Sequence, residues 1–261
     1  MALYSTVLAH QWNNHSSTPF EEQLADESLV SIQVGDALLT QLLASNDSLV
    51  ELTVGHLATE YDLLLSNENE VSVNNHGNHC SIRLQHQQQI QVPVMPRIVT
   101  TSCGGCNSPS IEGLISSIPY VESKIEHVSM KNIYEIYQTH FLNADGFAKT
   151  GGMHSAGLIT TDGVLQVVKE DIGRHNAVDK ALGHSILMKY SSQVSALLVS
   201  GRIGWDIVAK AGRRNIEFIF GLGAASSLAV DAARSCNMTI VSFLKETSCV
   251  IIGAGASKIM P

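Results

Sequence analysis

The sequence predicts a layered α/β sheet, parallel at least in part, preceded by a smaller N-terminal β-rich portion. Two observations carry this expectation. From about residue 156 onward, short apolar runs such as residues 196–199 and 216–220 alternate with stretches of helical periodicity. That is how strands buried on both faces, separated by helices, read in sequence. Between residues 29 and 95 the pattern is different, with brief alternating strands and one helical stretch. Pro93 and Pro96 punctuate the join, so three segments are expected: a lead-in over 1–28, a β-rich portion over 29–95 and an α/β domain over 96–261.

Composition bounds the function. The chain has 261 residues, 44% hydrophobic and 15% charged, enough for one large or two modest cores. A formal net charge of -8 argues against broad nucleic-acid affinity, which needs lysine and arginine to neutralise phosphates. Five cysteines are an odd, sparse set, unlike a secreted disulfide framework. Residues 1–20 lack a basic segment followed by an apolar core, and no apolar run reaches the ~18 residues of a membrane span. A reducing cytoplasm, with no membrane partner, is the expected setting.

In chain order, residues 1–28 read as a loosely held lead-in. Residues 29–34 alternate as a half-buried strand, and Gly35-Asp36 turns the chain into a partner over 37–43. Ser48 is a candidate cap for a helix from Leu49 to about Leu65, with Val50, Val54, Leu57 and Tyr61 on one face. Val71-Ser72-Val73 and residues 81–84 read as short strands. The histidines between and after them (His76, His79, His86) read as solvated. Residues 98–101 predict a short strand, 111–118 a short helix or strand, and 130–142 a helix ending before Gly146. Residues 156–160 and 164–168 flank Thr161-Asp162-Gly163, a hairpin signal. Then follow a helix over 174–190, a strand over 196–199, a helix over 203–213, a strand over 216–220, a helix over 224–236 and a strand over 239–243.

Five polar or glycine-rich stretches sit among these elements. Cys103-Gly104-Gly105-Cys106 follows the strand at 98–101; two thiols on a glycine loop suit sulfur or redox chemistry, and equally half a zinc site. Residues 147–156 include Thr150, Gly151, Gly152 and His154, a loop able to bring N–H groups to an anion. By itself this stretch reads better as a simple glycine turn with a partly buried histidine. Residues 170–180 bunch Glu170, Asp171, Arg174, His175 and Asn176 at a helix start, where the dipole favours negative ligands. Ser200-Gly201-Arg202 and residues 221–227 each follow a buried strand, where open α/β sheets bind ligands. Neither completes a dinucleotide fingerprint.

The order TTSCGGC, FAKTGGMHSAGL, EDIGRHNAVDKALG, SGR and SLAVDAARSCNMTIVSFLK resembles the FdhD family, the formate dehydrogenase accessory sulfurtransferases. The resemblance runs from about residue 29 to 250, and EDIGRHNAVDKALG is its most specific stretch. It implies a mixed sheet of cytidine-deaminase-like type beside a smaller N-terminal β-containing domain. It also implies a sulfurtransferase that takes sulfur from a cysteine desulfurase and passes it to bis-molybdopterin guanine dinucleotide, the molybdenum cofactor of formate dehydrogenase. By position, Cys103 would carry the persulfide and Cys106 would assist. The cofactor segment maps to Phe243, Leu244, Lys245, Glu246, Thr247 and Ser248, with Gly151, Gly152, His154, Arg174, His175 and Arg202 lining the same pocket and no resident metal. Related sequences usually place a glycine and an arginine where Glu246, Thr247 and Ser248 stand, and serine and glutamate where Gly204 and Asp206 stand. A homodimer is expected.

Rival readings are testable on the same residues. A zinc deaminase needs H-x-E and P-C-x-x-C, but His154 is followed by Ser155-Ala156, and Ser102 precedes Cys103. A thioredoxin-like role is weak, since that motif belongs to another strand–helix context. A cofactor-binding chaperone without sulfur chemistry and a structural zinc protein remain as alternatives.

Overall fold

A computed structural model describes residues 3–34, 37–65, 67, 71–76, 79–84, 98–99 and 111–261. The chain opens with a hairpin, β1 (Tyr4–Asn13) and β2 (Ser16–Ala25), paired antiparallel along its whole length. This is where the lead-in was expected to be loose. The hairpin holds together through its own backbone ladder, while its side chains stay mostly exposed, Leu8 and Trp12 among them. Its sparse burial is what made it unreadable as strand.

A five-stranded sheet follows, built from β3 (Ser28–Val34), β4 (Ala37–Ala44), β5 (Val71–His76), β6 (His79–Leu84) and β7 (Ile98–Val99) in the order β5-β6-β3-β4-β7. Helix α1 (Leu49–Glu60) covers it, with Leu49, Leu52, Val54 and Leu57 packed on Val30, Ile32, Leu42 and Ile82. The pairing of β7 with β4 moves one boundary. The strand ahead of the cysteine pair was assigned to the α/β domain, yet it completes the N-terminal sheet.

The second half contains α2 (Ile111–Ser116), β8 (Val128–Ser129), α3 (Met130–Ile136), α4 (Asp145–Thr150), β9 (His154–Thr160), β10 (Leu165–Asp171), α5 (Arg174–Leu187), β11 (Val194–Val199), α6 (Trp205–Arg213), β12 (Phe218–Gly221), α7 (Ser227–Ser235), β13 (Thr239–Ser242), β14 (Val250–Ile252) and β15 (Ile259–Met260). Six of these strands form one mixed sheet in the order β10-β9-β11-β12-β13-β14. Strands β11, β12 and β13 are parallel to one another, whereas β9, β10 and β14 are attached antiparallel. Alternate residues face opposite layers. Leu197, Val199, Ile219 and Ile240 pack under α5, α6 and α7, while Ala196, Leu198, Phe218, Phe220 and Val241 pack against Ile133, Ile136 and Phe141. The observed architecture is therefore a mixed α/β protein.

Element ends differ from the sequence pattern for local reasons. Helix α1 stops at Glu60 rather than near Leu65: Asp62 takes a left-handed conformation, and the N–H groups of Tyr61 and Leu63 both return to the Leu57 carbonyl. Left-handed Lys189, Asn215 and Asn237 follow α5, α6 and α7 in the same way. Ser48 does not cap α1 with its hydroxyl, which instead accepts from Lys169 Nζ at 3.2 Å. The helix expected over 130–142 continues past α3 as one π-helical turn, Tyr137–Phe141. Residues 147–150, read as part of a glycine loop, lie in helix α4. Among the described residues no helix is long and apolar enough to cross a membrane.

Two buried ion clusters tie the N-terminal sheet to the α/β half. Lys180 Nζ reaches Asp171 at 2.7 Å and Asp47 at 2.6 Å, and donates to the Ser45 carbonyl. Asp171 also accepts from the Ser45 and Gly173 amides and from Asn176. Lys210 Nζ lies 2.9 Å from Asp179 and 2.6 Å from Glu60, with His56 and Thr59 completing the group. Between the clusters α1 crosses α5 at two glycines. A Cβ on Gly55 would stand 1.8 Å from the Asp179 carbonyl oxygen, and one on Gly183 would stand 1.9 Å from that of Glu51.

Candidate functional site

The parallel strands β11, β12 and β13 all end on one edge of the sheet, and the polar stretches lie along that edge. Antiparallel pairing of β9 with β11, and of β10 with β9, brings the first residue of β9 and the last of β10 to the same place. His154, Arg174, Ser200-Gly201-Arg202, residues 221–226 and residues 243–248 therefore form one contiguous rim.

Hydrogen bonds fix the order of the rim. Ser200 Oγ accepts from the Ser155 amide at 2.9 Å and lies 3.4 Å from His154 Nδ1. The His154 ring and the aliphatic stem of Arg174 both cover Gly201, where an added Cβ would be 3.4 Å from each. Gly223 donates to the Gly201 carbonyl, and a Cβ there would stand 2.9 Å from that oxygen and 3.0 Å from the Arg202 amide nitrogen. The next strand's exit then folds onto this loop: the amides of Phe243 and Leu244 donate to the carbonyls of Gly223 and Gly221. Phe243 adopts a positive φ of 53°, sparsely populated for a bulky residue, and leaves its ring half exposed. Lys245 closes a turn by donating to the Ser248 carbonyl, so residues 245–248 stand exposed at the end of the rim.

Electrostatically the rim is cationic. Burial, then the charge of Arg174 and more weakly that of Arg202, push His154 below the usual histidine range, against a pull from Asp171. The neutral form of His154 is thus favoured under the charges of Arg174 and Arg202. Arg174 Nε is buried without a hydrogen-bond acceptor among the described residues. The arrangement suits an anion with several oxygens: two arginines, a neutral imidazole, and glycines that let backbone N–H groups approach closely. Phosphates of a nucleotide fit that donor set.

His175 points elsewhere. It is buried at the α5–α6 contact with Nε2 against Asp206 Oδ2, and burial above all pushes it down to about 4. Asp206 Oδ2 also lies 3.6 Å from Arg174 Nη2. The sequence reading gave Asp206 no role. The available signal was spacing, since His175 and Asp179 on one helix face Asp206 and Lys210 on the next, each pair four residues apart.

Gly151 and Gly152 join α4 to β9. Gly151 is the left-handed C-cap of α4, and Gly152 donates to Thr150 Oγ1 and lies against Ala25 of the hairpin. Five polar or glycine positions within residues 170–183 serve architecture: Asp171, Asn176, Asp179, Lys180 and Gly183 belong to the ion clusters and the helix crossing. Cys103 and Cys106 lie outside the described residues, flanked by β7 on the N-terminal sheet and by α2, which packs on α7. Cys236 is core packing, its thiol pushed up to about 11 chiefly by burial. An open cavity of about 600 Å³ lies at the opposite edge of the sheet, lined by Lys124, His127, Asn132, Thr160 and Asp162 among others, and shares no residue with the rim.

Comparison with known proteins supplies the remaining constraint. The family model for the FdhD/NarQ family matches residues 25–257. The chain is 34% identical over 200 residues to the sulfur carrier protein FdhD of Sulfurisphaera tokodaii, covering 76% of this chain and 75% of that one. It is 32% identical over 246 residues to the sulfur carrier protein FdhD of Nocardia farcinica, covering 90% and 88%. A crystal structure described as a formate dehydrogenase accessory protein of Desulfotalea psychrophila superposes with a TM-score of 0.74 at 20% identity. That match covers 99% of this chain and all of the other, a shared fold.

Proposed function

Because the chain belongs to the FdhD/NarQ family, we propose that it is a sulfur carrier that loads sulfur onto the molybdenum cofactor of a formate dehydrogenase. Cys103 accepts the outer sulfur of a cysteine desulfurase persulfide, releasing the desulfurase thiolate, and Cys106 supports the transfer. The exchange needs an exposed thiolate and room for a partner, which glycine neighbours favour.

The acceptor, bis-molybdopterin guanine dinucleotide, is the substrate of this reading. What supports it is the convergence of Arg174, Arg202, His154 and the 201, 221 and 223 glycines on one rim, a donor set matched to phosphates. Phe243 offers an exposed ring beside them for a guanine or pterin plane. Glu246, Thr247 and Ser248 add no cation, so phosphate binding rests on the two arginines and Lys245. We read the six-stranded layer as cytidine-deaminase-like. Ala156, buried on β9, stands where a deaminase needs its glutamate, so that chemistry is absent from the reading. The reading also includes a cytoplasmic homodimer.

The test is intact mass after incubation with a cysteine desulfurase and cysteine, on the wild type and on Cys103→Ala. The expected result is an adduct of one sulfur on the wild type that is lost in the variant. No adduct on wild type, with an active desulfurase, would leave a cofactor-binding chaperone.

A further inference from the structure

We infer that Asp206 is a positioning residue, braced by His175, that holds Arg174 in place for anion recognition at the rim, and that Gly204 is what permits it. The inference rests on the reading of the rim as a phosphate site. Arg174 and His175 are the first two residues of α5, and Asp206 is the second residue of α6. One carboxylate oxygen, Oδ2, meets both: it contacts His175 Nε2 and lies 3.6 Å from Arg174 Nη2.

The contact has an electrostatic reason. Arg174 shares the rim with Arg202, and both charges act on His154. A guanidinium that shares a site with another cation is held there best when an anion engages it. Asp206 is that anion, only 13% exposed, and it engages the guanidinium from the side of α6. His175 Nε2 lies against the same carboxylate oxygen, and a hydrogen bond between them requires the proton to be on Nε2. One helical turn further along, Asp179 and Lys210 repeat the cross-helix pairing and prevent α5 and α6 from sliding.

Gly204 closes the argument. It is the N-cap residue of α6, and Asp206 folds back over it so far that a Cβ would stand 2.2 Å from Asp206 Oδ1. Any side chain there must push the carboxylate out of its present position. The short aspartate and the glycine two residues before it therefore act as a unit.

The experiment uses the full chain and guanosine diphosphate, the nucleotide half of the proposed substrate, by titration calorimetry. Asp206→Ala is expected to weaken binding about tenfold, the scale of one charge-assisted contact, and Asp206→Glu to recover most of the loss. Nitrogen-15 spectra of His175 should show the Nε2-protonated tautomer in the wild type and its loss in Asp206→Ala, a readout that general destabilisation does not produce. Gly204→Ser should mimic the alanine variant while leaving residue 206 intact. Wild-type binding with equal or tighter binding by Asp206→Ala would overturn the positioning role alone, making Asp206 a bystander or a competitor. Failure of the wild type to bind would overturn the phosphate reading of the rim together with this inference. The sulfur adduct on Cys103 would stand in either case.

Discussion

Lys180 and Lys210 are the two largest fully buried side chains among the described residues, and neither belongs to the candidate site. Each is held by carboxylates, because a buried ammonium without a counter-ion costs several kcal/mol. Around Lys210, burial opposes the ionisation of Asp179 and Glu60, but the lysine's charge, its hydrogen bonds and His56 together outweigh it and hold both below the usual carboxylate range. For a group whose folded pKa lies below its unfolded one, the stabilisation is present above the unfolded value, about 4. It is lost as pH falls through the folded value. Urea unfolding should therefore show stability dropping between about pH 5 and pH 3, and Lys210→Met should flatten that acid slope while lowering stability at neutral pH. An unchanged slope in the variant would show that these carboxylates do not owe their ionisation to Lys210.

At the scale of elements, the crossing of α1 and α5 depends on two residues with no side chain. Gly183→Ala places a methyl group inside the van der Waals radius of the Glu51 carbonyl, so the helices must separate and the ion clusters on either side must stretch. The expected destabilisation is about 3 kcal/mol, read as a shift of the urea midpoint. Most strands and helices of the second half were legible from residues 156–243, because buried apolar strands and amphipathic helices alternate cleanly there. The hairpin was not, since its pairing leaves little apolar burial to read. Helix ends were misjudged wherever a left-handed Asp62 or Lys189 stopped a helix whose periodicity ran on. The rim residues His154, Arg174 and Arg202 were visible as polar groups at strand and helix ends. Asp206 was not, because its part depends on the contact between two helices, which no single stretch of sequence displays.

For the whole molecule, packed helices and two ionic clusters join the N-terminal sheet to the six-stranded sheet. A Trp12→Phe variant leaves Trp205, buried at the start of α6, as the sole tryptophan. Its fluorescence should change together with far-UV ellipticity across a single denaturant transition; two separated transitions would show that the N-terminal sheet unfolds on its own. The same joint has a diagnostic consequence. Within EDIGRHNAVDKALG, the letters D, N, D, K and the final G spell out the fastening between two layers, and only R lies by the rim. A genome survey that recognises relatives by this signature is detecting carpentry. On the proposed reading, a chain retaining every letter of it but lacking the thiol pair would inherit the architecture without the sulfur chemistry, and the pair itself has to be looked for separately.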